Sequence, residues 1–173
     1  MRHLHRLGAL IGAMLFGSAA QAAGSVAVSF IEPARYSDVR DAQGRSDANL
    51  GAVRAVLEAS AAPHVGSGQT LRIEVLDVDL AGEVRRGGSV QSLRVLRGSA
   101  DWPRIELRYV LETPGQAPTA GRATVQDMNY LQRPSALRSV AELPYERRML
   151  DDWFREAFRA SVTSPARRPL ASG

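Results

Sequence analysis

The chain has 173 residues, a formal charge of +4, no cysteine and no lysine, so that all 22 of its basic residues are arginines. Without cysteine there is no disulfide, no thiol nucleophile and no thiolate metal site, and stability must come from an ordinary core. A charge this small also lacks the clustered basic face that nucleic-acid binding requires.

Arg2 and Arg6 open the chain, and no acidic residue precedes Glu32. Leu7 to Ala20 is an apolar run, and Ala20-Gln21-Ala22 offers small residues at the two positions a signal peptidase reads. Together these predict a cleavable secretory leader over 1–22. The run is shorter than the roughly 20 residues that span a bilayer, and no cysteine is present to carry a lipid anchor. The expectation is a soluble periplasmic protein with one domain over 23–160, no membrane span, and a disordered, aperiodic tail over 161–173. Removing the leader lowers the charge to about +2 and leaves about 151 residues, enough to bury roughly 68–70% of the unfolded surface.

Ser25 to Ile31 alternates with Val26, Val28 and Phe30 on one side, a strand pattern that Pro33 ends. Ser46 or Asp47 can cap a helix that places Leu50, Val53, Leu57 and Ala61 on one face, with Arg54 and Glu58 spaced as an ion pair. Thr70 to Leu80 is the clearest strand. Its apolar set switches from Leu71, Ile73 and Val75 to Leu76, Val78 and Leu80, which predicts a β-bulge near Val75-Leu76 or a strand leaving one core for another.

Residues 81–92 read as a polar loop and Leu93 to Leu96 as a short strand. Ile105, Leu107, Tyr109 and Leu111 form the next alternating strand. Pro114, Gly115, Pro118 and Gly121 turn it back, and Arg122 to Tyr130 is its expected partner. Pro144 suits the first turn of a last helix, in which Tyr145, Met149, Leu150, Trp153, Phe154, Ala157 and Phe158 share a broad face. Arg147–Asp151 and Arg148–Asp152 are spaced for ion pairs on its other side. The order strand, helix, strands, helix predicts an α+β fold: a mostly antiparallel sheet of about four to five strands with two helices on one face.

The segments VAVSFIEPARYSD from Val26, LRIEVLDVDLAGEV from Leu71, DWPRIELRY from Asp101, DMNYL from Asp127 and YERRMLDDWF from Tyr145 form a recognisable set. As a set the chain resembles the proteobacterial domain-of-unknown-function family numbered 3016, over about Val26 to Phe158. DVDLAG and RMLDDWF are the most specific pieces. The resemblance implies a fold shared by exported bacterial proteins and brings no activity with it.

Four residues stand out as candidate ligand contacts. Asp77 and Asp79 lie two apart on a strand and so point to the same side, where paired carboxylates could hold a hard cation or act as acid and base. The plainer and stronger reading is a solvated strand end whose acids meet arginines. Asp127, beside Asn129 and Tyr130, would join them if the sheet brought them together; the plainer reading is a turn held by side chain-to-backbone bonds. Trp102 beside Asp101 could stack on a sugar ring, although a tryptophan opening a strand more often packs over the sheet end.

Other patterns are weaker. Arg85-Arg86-Gly87-Gly88 could bind an anion through free amides but lacks the lysine and hydroxyl of a P-loop. His64, the one histidine outside the leader, cannot make a zinc site without several carboxylates, and no serine has a G-x-S-x-G context. No catalytic residue is assigned, and no metal or cofactor is implied. The readings rank in order as a non-catalytic module binding another envelope protein, a binder of a small ligand, glycan or cation through strand-end carboxylates, and a carboxylate-based hydrolase.

Overall fold

A computed structural model describes residues 23–41, 43–85, 93–98, 100–132 and 142–159. The expected leader over 1–22, the Arg86-Gly87-Gly88 part of the candidate anion loop and the tail over 161–173 lie outside the described residues.

The elements in chain order are β1 (Ser25–Phe30), α1 (Asp47–Ala61), β2 (Thr70–Asp79), β3 (Glu83–Arg85), β4 (Leu93–Val95), β5 (Arg104–Glu112), β6 (Thr119–Gln126) and α2 (Pro144–Ala157). Four strands form one sheet in the order β1-β2-β5-β6, and β3 pairs with β4 in a separate ribbon. β1 runs parallel to β2, with Val28 opposite Ile73, and the pairs β2–β5 and β5–β6 are antiparallel. A parallel pair needs a long crossover, and α1 supplies it. The fold is α+β with the order strand, helix, strands, helix.

Both helices cover the same face of the sheet. Leu71, Ile73, Val75, Val78, Ile105, Leu107 and Val125 meet Val53, Leu57 and Ala61 of α1 and Met149, Leu150 and Phe154 of α2 in one cluster. Burying each large apolar side chain contributes roughly 1.5–3 kcal/mol, so this face holds the fold together. The opposite face carries the alternate residues and is covered by no described element.

The bulge expected in β2 is present: register shifts between Val75 and Asp77, where β2 faces Leu107 and Glu106 of β5. It leaves Leu76 half-buried and returns Val78 and Leu80 to the core. Two expectations about strands are corrected. The loop over 81–92 begins with β3, which pairs Glu83 with Val95. β6 starts at Thr119 rather than Arg122 and ends at Gln126, because the hairpin closes over Thr113–Pro118 and Asp127 turns the chain away. Residues 119–121 are small and carry no strand signal, but Gly121 is needed there. A Cβ at that position would sit 2.7 Å from the ring of Tyr109.

Helix details differ from the periodic reading in instructive ways. Ser46 is the residue before α1, but its side chain makes no capping bond. Arg54 does not pair with Glu58; its guanidinium donates to the Val28 carbonyl and lies 5.0 Å from the centre of the Phe30 ring. In α2, Ala157 is exposed rather than part of the apolar face, and Glu146 is buried in it. Arg147 reaches Asp151 at 3.9 Å, while Asp152 takes Arg155 at 2.8 Å. Asp151 also accepts a 2.5 Å bond from Ser60, which ties α2 to α1.

Candidate functional site

The bulge decides where the carboxylates of β2 go. By shifting the parity at Leu76, it sends Asp77 and Asp79 to the helix-free face while Val78 stays in the core. Asp77 is heavily engaged there. Its Oδ1 accepts the Ser37 N–H at 2.7 Å, and its Oδ2 accepts the Ser37 hydroxyl at 2.7 Å and Arg104 Nη2 at 2.9 Å. Arg104 also donates to Glu106 at 3.1 Å, and Arg122 approaches Glu106 at 3.5 Å. Arg72 with Glu112 and Arg108 with Glu74 continue the pairing along the same face.

Asp79 adjoins a second group. Its backbone bridges to Asp38, whose N–H bonds the Val78 carbonyl at 2.9 Å and whose carbonyl accepts the Leu80 N–H at 3.1 Å. The Asp38 carboxylate takes two bonds from Arg94, at 2.7 and 3.1 Å, and Arg94 also donates to the Gly82 carbonyl at 3.2 Å. Burial raises the Asp38 carboxyl above its ordinary value; Arg94 opposes the rise, and the nearby Asp79 and Glu83 reinforce it. Burial raises Asp79 too, against Arg104 and with the help of Asp77.

Behind Arg94 lies Glu146, 2% exposed, in the first turn of α2. It accepts the Ala81 N–H at 2.7 Å and so joins the DVDLAG turn to the last helix. Burial is the largest influence on it and holds its carboxyl above the usual range, opposed by the Ala81 and Glu146 amides and by Arg94. A cavity of about 260 Å³ opens beside Arg94 and Glu146, walled by Leu96, Leu143, Pro144 and Tyr145. The Arg94 Nε is buried without a hydrogen-bond partner.

The other two candidate residues are elsewhere. Trp102 is half-buried and packs with Leu96 against Ala81, Tyr130 and Tyr145 in a small second core. There the Tyr130 hydroxyl donates to Asp101 at 2.9 Å, and burial pushes its phenol up to about 12. Asp127 accepts the Asn129 N–H at 3.0 Å in a tight turn, and it lines a groove beside α2 on the helix side of the sheet. Asp77 and Asp79 are thus brought together, while the sheet separates Asp127 from them.

His64 stacks on Phe154, with ring centres 6.1 Å apart, as a wall of the core. Among the described residues no three histidine or carboxylate side chains converge to hold a metal ion. Residue-by-residue reading missed Asp38, Arg94, Arg104 and Glu146. Glu146 had a signal, because it stands three and four residues before Met149 and Leu150, on the apolar stripe. Asp38 and Arg94 had none, since they meet across 56 residues of chain.

These features define a small α+β module with a mixed sheet, a helix-covered face, and an opposite face of paired arginines and carboxylates. A family model described as "Protein of unknown function (DUF3016)" matches residues 24–156. The chain belongs to that family. No curated protein and no solved structure matches it. Among the described residues no helix is long and apolar enough to cross a membrane.

Proposed function

We propose that this chain is a non-catalytic binding module of the bacterial periplasm whose partner is another envelope protein. Support for the compartment comes from the basic start, the apolar run and the Ala20-Gln21-Ala22 site. The observation that carries the binding role is the state of the acids. Asp77 is held by Ser37 and Arg104, so it is part of a paired face instead of a free carboxylate. General acid–base work needs a carboxyl within hydrogen-bond reach of a substrate proton. A patterned charged face instead selects among protein partners by complementarity.

A hydrolase built on Asp77, Asp79 and Asp127 gains no support, because these three acids lie on two sides of the sheet. The small-ligand reading is favoured by one feature, the cavity of about 260 Å³ with the unpartnered Arg94 Nε at its wall. The test is cross-linking of the tagged protein in intact periplasm, followed by isolation of the adduct, for wild type and for Asp77→Ala/Asp79→Ala. A stoichiometric protein adduct that the double variant loses is the expected result. Recovery of no protein adduct with either form would reject the module reading and turn attention to ligands for the cavity.

A further inference from the structure

The two edges of the sheet are treated differently. At β1 the outward Val28 carbonyl is met by the Arg54 guanidinium. At β6, among the described residues, every backbone hydrogen bond of Thr119–Gln126 goes to β5. Among the described residues its outward N–H and C=O groups therefore have no backbone partner, a row of the kind that pairs with an added strand. The strand is eight residues long with no proline, and Arg122 is its one charge.

Beside this edge lies a groove of about 230 Å³ between β6 and α2. Its walls are Thr124 to Asp127 on one side and Met149, Asp152, Trp153 and Glu156 on the other. A strand added to β6 would lie about 4.7–4.9 Å away, with alternate side chains turned toward the helix side. Those side chains would enter the groove. Half-buried Trp153 lines the groove, where the stem of a long basic side chain can pack on it. Three carboxylates, Asp127, Asp152 and Glu156, line the groove, and Arg155 binds Asp152.

We infer that the β6 edge is a docking site for an extended segment of another protein, which adds as a strand and places an arginine or lysine in the groove over Trp153. Side chains on the segment's other face meet Arg122, which favours small or acidic residues beside the basic one. Main-chain bonding supplies the affinity and the groove supplies the selection, as in other strand-addition interfaces. This inference rests on the binding-module reading and gives the same partner a second contact, at the β6 edge, besides the charged face that carries Asp77 and Asp79.

The test uses protein purified after expression of the full chain and three eight-residue probe peptides. The first alternates threonine and valine around one central arginine. The second has glutamate in place of the arginine, and the third carries N-methyl groups on alternate amides. Amide shifts in an NMR titration with the arginine peptide are expected to concentrate on residues 119–127. Both altered peptides should bind at least tenfold more weakly, as should the arginine peptide to Glu156→Arg, whose parent side chain is exposed and outside the core. Equal binding of the glutamate peptide, shifts centred elsewhere, or no binding of any peptide would overturn the inference. Concentration-dependent self-association through 119–126 would also overturn it, in favour of a second copy. If Glu156→Arg still yields the wild-type adduct in periplasm, the edge inference fails while the module reading stands.

Discussion

Glu146 is a carboxyl with almost no water around it, bonded to the Ala81 amide and facing Arg94. Because burial raises its folded-state value, the native protein keeps this proton where the unfolded chain has released it. Stability from this group is therefore full below the ordinary value of 4.5 and declines as pH rises through the raised folded value. Glu146→Gln keeps the acceptor without the charge. Its stability relative to wild type should rise with pH across that window, as measured by urea unfolding at several pH values; a flat difference would show that Glu146 is not held protonated.

Gly82 gives a second test at the same scale. It has a φ of +78°, and a Cβ there would lie 2.7 Å from Leu96 Cδ2 and 2.8 Å from the Val95 carbonyl. The left-handed backbone alone costs a non-glycine residue about 1–2 kcal/mol. Gly82→Ala should lose at least that much in denaturant unfolding, because the β4 backbone is also in the way.

Asp77 and Asp79 separate two kinds of carboxylate. Charge-assisted hydrogen bonds are worth about 1.5–3 kcal/mol, so Asp77→Ala, which abandons Ser37 and Arg104, should cost about 2 kcal/mol. Asp79→Asn removes a charge that burial already opposes and should stay within about 0.5 kcal/mol of wild type. Thermal unfolding of the two single variants checks the asymmetry, and equal losses would contradict the assigned contacts.

At the scale of elements, period was a good guide wherever one face is buried. The switch of parity at Leu76 could be read as a bulge because hydrophobic positions must stay on the core side, and the register of β2 against β5 shows the shift there. The apolar stripe of α2 was legible for the same reason. Its centre is Phe154, fully buried and stacked on His64 from the turn after α1. Phe154→Ala should cost about 3–5 kcal/mol in denaturant unfolding, and a loss below 1 kcal/mol would show that α2 is not anchored there.

Period fails where side chains are small or where contacts are distant in sequence. The first three residues of β6, Thr119, Ala120 and Gly121, gave no alternation to read, although Gly121 is required by the Tyr109 ring. Arg54 was read with its helical neighbour Glu58, but the chain before α1 offers a carbonyl and an aromatic ring that compete better. Asp151 was read with its helical neighbour Arg147, and Ser60 of α1 could be known as a further partner only once the two helices were packed.

Across the whole molecule the sheet divides two kinds of surface. One face is a single apolar core under α1 and α2, and the other is a ladder of arginines and carboxylates. The candidate site was legible in part. Asp77 and Asp79 share the second face, as their spacing implied, but the arginine beside them, Arg104, comes from β5 and was visible only in three dimensions. Asp127 could not be placed from sequence, since a turn after β6 decides which side of the sheet it takes.

The measurement that bears most directly on the binding-module account is the cross-linking comparison in intact periplasm, with mass identification of the adduct. The account predicts one stoichiometric envelope protein on wild type and its loss from Asp77→Ala/Asp79→Ala, with the variant still exported and folded. Wild-type protein that reaches the periplasm folded and forms no protein adduct would contradict it.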